Sequence, residues 1–138
     1  MKKNKKLDIT KQRPSMLIIR LAVGDELHNF ILDTGSNSCT IDYNIIDGNN
    51  KLNHYYYEKA EDADSAYGDI FIFGSVEIPL MIDDKQVYWP FSISNIHKAF
   101  EAIEKDHGIT ISGIIGCDFM RYYKTIIDFK KDQIIFHV

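Results

Sequence analysis

Phe30-Ile31-Leu32-Asp33-Thr34-Gly35-Ser36 is an apolar run that ends in a carboxylate, a glycine and two hydroxyls, and Cys39-Thr40-Ile41 resumes a strand-like pattern directly after it. An aspartate between a strand and a glycine turn is well placed to act as a catalytic base. The glycine allows a turn and a close backbone approach that a side chain would forbid. The hydroxyls of Thr34 and Ser36 can donate hydrogen bonds that hold a carboxylate in its ionised form. Asp-Thr-Gly also occurs as an ordinary turn, so the tetrapeptide by itself leaves both readings open.

Working outward, the chain reads as a series of short strands. Met16 to Val23 is almost continuously apolar, Gly24-Asp25 punctuates it, and Leu27 to Leu32 resumes, so a hairpin delivers Asp33 to the end of its second strand. Asp47-Gly48-Asn49-Asn50 is a turn, Tyr55-Tyr56-Tyr57 starts a further strand, and Glu58 to Asp64 reads as an acidic, solvated stretch. Ser65 to Asp69 is small and flexible; Gly74-Ser75 divides Ile70–Phe73 from Val76–Ile82. Asp83-Asp84-Lys85 turns the chain into Val87-Tyr88-Trp89, and Pro90, which has no N–H to donate, makes that strand an edge or a bulge. Ile96, Ala99, Phe100 and Ile103 form a helical stripe, with Ser94 or Asn95 to cap its start and Gly108 to end it. Ile109 to Ile115 is extended again, and Asp118 reads as the N-cap of a short helix over Phe119–Tyr123. Thr125, Ile127 and Phe129 alternate as a strand, Lys130-Lys131-Asp132 turns, and Gln133 to Val138 is the last strand. The pattern predicts a mainly β barrel or sandwich with one substantial helix.

Composition narrows the function classes. A chain of 138 residues with 45% hydrophobic and 12% aromatic content is one packed domain, able to bury roughly two thirds of its unfolded surface. We divide it into a flexible N-terminal arm over residues 1–15, carrying Met1-Lys2-Lys3-Asn4-Lys5-Lys6, and a single domain over 16–138. A net charge of −4 points to neither a nucleic-acid nor a membrane partner. No apolar h-region follows the first lysines and no run reaches the ~20 residues of a membrane span, so a cytoplasmic location is expected. The two cysteines, Cys39 and Cys117, read as free thiols. The five histidines are scattered without ligand spacing, so no metal and no cofactor are expected.

A second segment gives the first its context. Ser112-Gly113-Ile114-Ile115-Gly116-Cys117-Asp118-Phe119-Met120 runs on to Ile126-Ile127-Asp128-Phe129-Lys130-Lys131. Together with Leu32-Asp33-Thr34-Gly35-Ser36, this resembles the retropepsin-like aspartic peptidases, in particular the single-domain bacterial members. Both segments match in order and context, over about residues 16–138.

The resemblance implies a closed pepsin-like β-barrel with one or two helices, a β-hairpin flap over a substrate cleft, and a homodimer acting on peptide or protein substrates. Asp33 would be the catalytic carboxylate, and Thr34 and Gly35 would complete its loop. Ser36 would place its hydroxyl on the outer carboxylate oxygen. Ile114, Ile115 and Gly116 would lie beside the loop and shape the pocket floor, and Tyr67-Gly68 would be the flap tip. Two carboxylates a few ångströms apart share one proton, so one acts as base and the other as acid; aspartic proteases are the standard example of this splitting. One Asp-Thr-Gly per chain therefore demands a second Asp33 from a symmetry mate. The alternative is a retropepsin-like module kept for dimerisation or peptide binding, with little or no catalysis. Other residues have plainer readings: Asp118 as a helix cap and not a second carboxylate, Asp128 as structural, Asp132 as a turn residue tolerant of left-handed geometry. Cys117 reads as a buried small hydrophobe rather than a reactive thiol, and Tyr88 and Trp89 as core or edge aromatics rather than a peptide groove.

Overall fold

The computed structural model describes residues 4–8, 16–47, 54–63 and 70–138. Its elements, in chain order, are β1 (Asn4–Asp8), β2 (Ile18–Val23), β3 (Glu26–Leu32), β4 (Thr40–Asp42), α1 (Tyr43–Asp47), β5 (His54–Ala63), β6 (Ile70–Ile82), β7 (Lys85–Ser94), a 3-10 turn (Ile96–Lys98), α2 (Glu101–His107), β8 (Ile111–Ile115), α3 (Cys117–Tyr122), β9 (Ile126–Asp128) and β10 (Gln133–His137).

The strands β2-β3-β8-β4-β7-β6 are hydrogen-bonded in that order, and β6 returns to β2 through Ala22↔Met81 and Val23↔Leu80. The ring is thus a closed six-stranded barrel, with β5 added outside it on β6. Closure removes the open edges that a flat sheet of this size would expose. Two pairings in the ring are parallel, β3 with β8 and β4 with β7.

Side-chain periodicity explains the inward face. Along β6, Val76, Ile78, Leu80 and Ile82 all point into the core, as a two-residue period requires. They meet Ile19, Leu21, Val23, Phe30, Ile41, Phe91, Ile93 and Ile115 from the other strands. A second core lies on the outer face of β2, β3 and β8, where Ile18, Ile31, Ile111 and Ile114 pack under Ile96, Phe100 and Ile109. The largely apolar runs at 16–23 and 109–115, broken only by Arg20, Thr110 and Ser112, follow from this: strands covered on both faces show little polar alternation. Each fully buried Ile or Phe contributes about 1.5–3 kcal/mol.

The structure departs from sequence expectation at several points. Asn4–Asp8, expected as part of a free arm, pairs antiparallel with β10, making a three-stranded sheet β1-β10-β9. Glu58–Ala63, expected to be a solvated loop, belongs to β5. Gly74 does not break the strand: β6 is continuous, and the glycine marks a register shift against β7 between Ile72 and Gly74. Pro90 lies in the part of β7 that pairs only with β6, because β4 meets β7 only at Ser92–Ser94; the strand is an edge there. The helical stripe is split into the 3-10 turn and α2, which ends at Gly108 in left-handed geometry (φ 69°). Neither Ser94 nor Asn95 caps it with a side chain; the buried Asp42 carboxylate takes the His97 N–H at 2.9 Å instead. The helix α3 starts from Gly116, with Asp118 inside its first turn. Phe129 lies beyond the end of β9 in a turn and is 68% exposed. Asp132 has φ 51°, the left-handed geometry expected of it.

Candidate active site

The strand order around Asp33 creates the site. β3 and β4 are consecutive in the chain yet lie on opposite sides of β8. The connection over residues 33–39 therefore crosses the C-terminal end of β8, where α3 begins. Its first limb continues the parallel ladder, with Asp33 N–H donating to the Ile115 carbonyl at 3.0 Å. Its second limb hangs on the start of α3: Cys117 N–H donates to the Ser36 carbonyl at 2.7 Å and Asp118 N–H to the Asn37 carbonyl at 3.3 Å. Ser92 N–H of β7 then donates to the Cys39 carbonyl at 3.0 Å as β4 begins. Backbone bonds thus hold the loop from both sides.

Two glycines let the crossing happen. A Cβ on Gly116 would stand 2.3 Å from the Ser38 carbonyl oxygen, so the loop can lie against β8 only if that position has no side chain. A Cβ on Gly113 would stand 2.5 Å from the Phe30 ring and 2.7 Å from the Thr40 carbonyl oxygen. Both lie in the Gly-Ile-Ile-Gly segment singled out from the sequence, and the crossing is the physical reason for that pattern.

Inside the loop, Gly35 N–H donates to Asp33 Oδ1 at 2.8 Å and Ser36 N–H to the Asp33 carbonyl at 3.1 Å. Asp33 is half-buried, while Thr34 and Gly35 are exposed. Ser36 Oγ donates to the Ser38 carbonyl at 2.8 Å. That bond lets Ser36 steady the loop from within, while Gly35 N–H donates to the Asp33 carboxylate. Cys117 Sγ donates to the Thr34 carbonyl at 2.8 Å, and the buried Cys39 sulfur accepts Gly116 N–H at 3.3 Å. Burial pushes the Cys39 thiol far above its ordinary value, which makes it an inert packing group. Both thiols are free.

Ile114 and Ile115 run beside the loop, and their side chains enter the two cores and are 4% and 0% exposed. What they give the site is backbone and support. Tyr67 and Gly68 lie outside the described residues. Among the described residues, no group of three His, Cys, Asp or Glu is arranged to hold a metal ion.

Three polar clusters had no sequence signal. Trp89 Nε1 donates to Asp118 Oδ2 at 3.1 Å, whose Oδ1 takes the Cys39 thiol at 3.4 Å. Asp42, 3% exposed, accepts both the His97 N–H and its ring Nδ1 (2.7 Å), and also the Asn44 N–H at 3.1 Å. His28 Nδ1 meets Ser112 Oγ at 3.1 Å, while its Nε2 lies 3.5 Å from Glu26 without a hydrogen bond. Burial holds the His28 imidazole below its ordinary pKa, against the opposing pull of Glu26.

No protein-family model matches the chain, and no curated protein matches its sequence. Solved structures do match its fold. The retroviral protease-like domain of Ddi1 from Leishmania major superposes with a TM-score of 0.59 at 15% identity, covering 86% of this chain and 85% of that one. A retropepsin-like aspartic protease from Rickettsia conorii gives 0.55 at 16% identity, with 99% and 92% covered. EIAV protease, complexed with the inhibitor HBY-793, gives 0.54 at 14% identity, with 82% and 89% covered. The chain therefore has the retropepsin-like fold.

Proposed function

We propose, from the premise that this is a retropepsin-like barrel, that the chain is an aspartic endopeptidase that works as a homodimer. The observation that carries the proposal is the intact Asp33-Thr34-Gly35-Ser36 loop, held by backbone hydrogen bonds across the end of β8 with Gly35 N–H on the Asp33 carboxylate. Asp33 and its symmetry mate would share one proton. The ionised member takes a proton from water, and the protonated member gives one to the scissile carbonyl oxygen. A loop braced by backbone is suited to this, because the carboxylate need not reorganise when charge moves. The exposed Thr34-Gly35 tip leaves the carboxylate reachable from outside the barrel. β5 and β6, which pair antiparallel, would supply the flap; the Tyr67-Gly68 tip expected from the sequence lies outside the described residues. Two free thiols suit a reducing compartment such as the cytoplasm, and among the described residues no helix is long and apolar enough to cross a membrane.

The test is cleavage of a broad peptide library at acid and neutral pH, alongside sedimentation. The expected result is a dimer that cuts peptides and an Asp33→Asn protein that dimerises without cutting. A strict monomer, or a dimer that binds extended peptides equally well with Asn at position 33 and cuts none, would replace this reading with that of a binding module.

A further inference from the structure

We infer that Trp89 is a positioning residue for the Asp33 loop, acting through Asp118. Its kinetic consequence rests on the hydrolytic reading above, whereas its structural consequence does not.

The return limb of the loop has few holds of its own. Ser36 and Asn37 give their carbonyls to the first two N–H groups of α3, those of Cys117 and Asp118, and Cys39 gives its thiol proton to the Asp118 carboxylate. Where α3 sits therefore decides where this limb sits. The helix is only six residues long, from Cys117 to Tyr122, and too short to be stable by itself. Its orientation must come from what it leans on.

Trp89 supplies that support in two ways. Its ring packs edge-on against Phe119 at 5.3 Å between centroids, and against Tyr122 and Tyr123 at 5.3 and 5.8 Å. Stacking alone would let the helix slide or roll about its axis, because aromatic contacts tolerate a range of offsets. The indole N–H to Asp118 Oδ2 is directional and fixes the N-terminal end of the helix, as His137 N–H on the Tyr123 carbonyl fixes its C-terminal end. Asp118 thus bridges β7 to the loop: Oδ2 accepts from Trp89, Oδ1 accepts from Cys39 and from the Phe119 N–H of its own helix, and its N–H donates to the Asn37 carbonyl. Three residues further along β7, Ser92 N–H donates to the Cys39 carbonyl, so the same strand fixes the limb at a second point. The catalytic loop is therefore registered to β7 as well as to β8.

The test uses the full chain with Trp89→Phe, which removes the donor and keeps one aromatic ring, though not the whole bicycle, in the stack. Amide hydrogen exchange is read at Cys117 and Asp118, whose N–H groups hold the loop, with the β6–β7 ladder as internal reference. Exchange at the two amides is expected to quicken by tenfold or more while the ladder is unchanged. If the wild type cuts peptides, kcat is expected to fall by roughly 10- to 100-fold with KM within about twofold, since loop misplacement harms the reacting geometry more than binding. Should Trp89→Phe unfold, Asp118→Asn and Asp118→Leu replace it. Asn with its oxygen on the indole keeps that acceptor but gives up the Oδ1 acceptor of the Phe119 N–H and the Cys39 thiol, so its exchange is expected to fall between wild type and Leu. Unchanged exchange in Trp89→Phe, or Asn as impaired as Leu, overturns the inference. A wild type that cuts nothing defeats the peptidase reading and leaves the exchange result to decide this one.

Discussion

Replacing Gly116 by alanine tests whether the loop truly crosses β8 in contact. The added Cβ would lie 2.3, 2.6 and 2.9 Å from the oxygen, carbon and nitrogen of Ser38, all backbone atoms. Ordinary contact is about 3.5 Å, so the nearest pair is roughly 1 Å too close, and no side-chain rotation relieves it. The loop must move, which loosens the Cys117 N–H to Ser36 and Gly116 N–H to Cys39 Sγ bonds. Overpacking of this kind costs about 1–3 kcal/mol, and each of the two weakened bonds adds about 0.5–1.5 kcal/mol, giving a loss of about 2–6 kcal/mol. Gly108→Ala is the control. Nothing lies within 4 Å of its added Cβ, but its φ of +69° disfavours a side chain, so about 1–2 kcal/mol is expected from backbone strain alone. Urea unfolding of the two proteins measures the contrast, with unchanged m-values confirming that stability alone has shifted. A Gly116→Ala protein within about 0.5 kcal/mol of wild type, which is the scatter of neutral surface changes, would refute the crossing geometry.

Asp33→Asn keeps an oxygen for Gly35 N–H, so its melting temperature is expected to stay within a few degrees of wild type while peptide turnover disappears; calorimetry and the cleavage assay read the two. The lowered pKa of His28 means that the unfolded chain binds a proton more readily than the folded one. Stability is therefore full above the unfolded value of about 6.5 and is lost as pH falls through the lower folded value; His28→Gln flattens this limb of a stability–pH curve. Asp42→Ala leaves the His97 and Asn44 N–H groups without their acceptor and is expected to cost about 2–4 kcal/mol in urea unfolding. Asp42→Asn, which keeps one oxygen, is expected to cost less.

Much of this architecture was legible because its causes are local. The hairpin delivering Asp33, the turn at Asp132 and the end of α2 at Gly108 each follow from a few neighbouring residues whose sterics admit few conformations. Gly113 and Gly116 marked the second half of the site, although the clash that demands them involves Phe30, Thr40 and Ser38, far away in sequence. Elsewhere local signals misled. Gly74-Ser75 looked like a break, yet cross-strand pairing carries β6 straight through with a register shift. Asp118 looked like the N-cap, yet Gly116 stands there; from inside the first turn its carboxylate accepts the Phe119 N–H and also reaches Trp89 on another strand.

The order of apolar runs, glycines and the single Asp-Thr-Gly was enough to establish a β-rich domain with one acidic loop at a strand end. Only the folded chain decided that β6 closes onto β2, that residues 33–39 straddle β8, and that Asp42 and Asp118 satisfy donors from distant elements. The reason is physical. Strand and turn preferences act over a few residues, whereas pairing partners and buried hydrogen bonds are selected by space, which joins residues dozens of positions apart and leaves no periodic trace in the sequence.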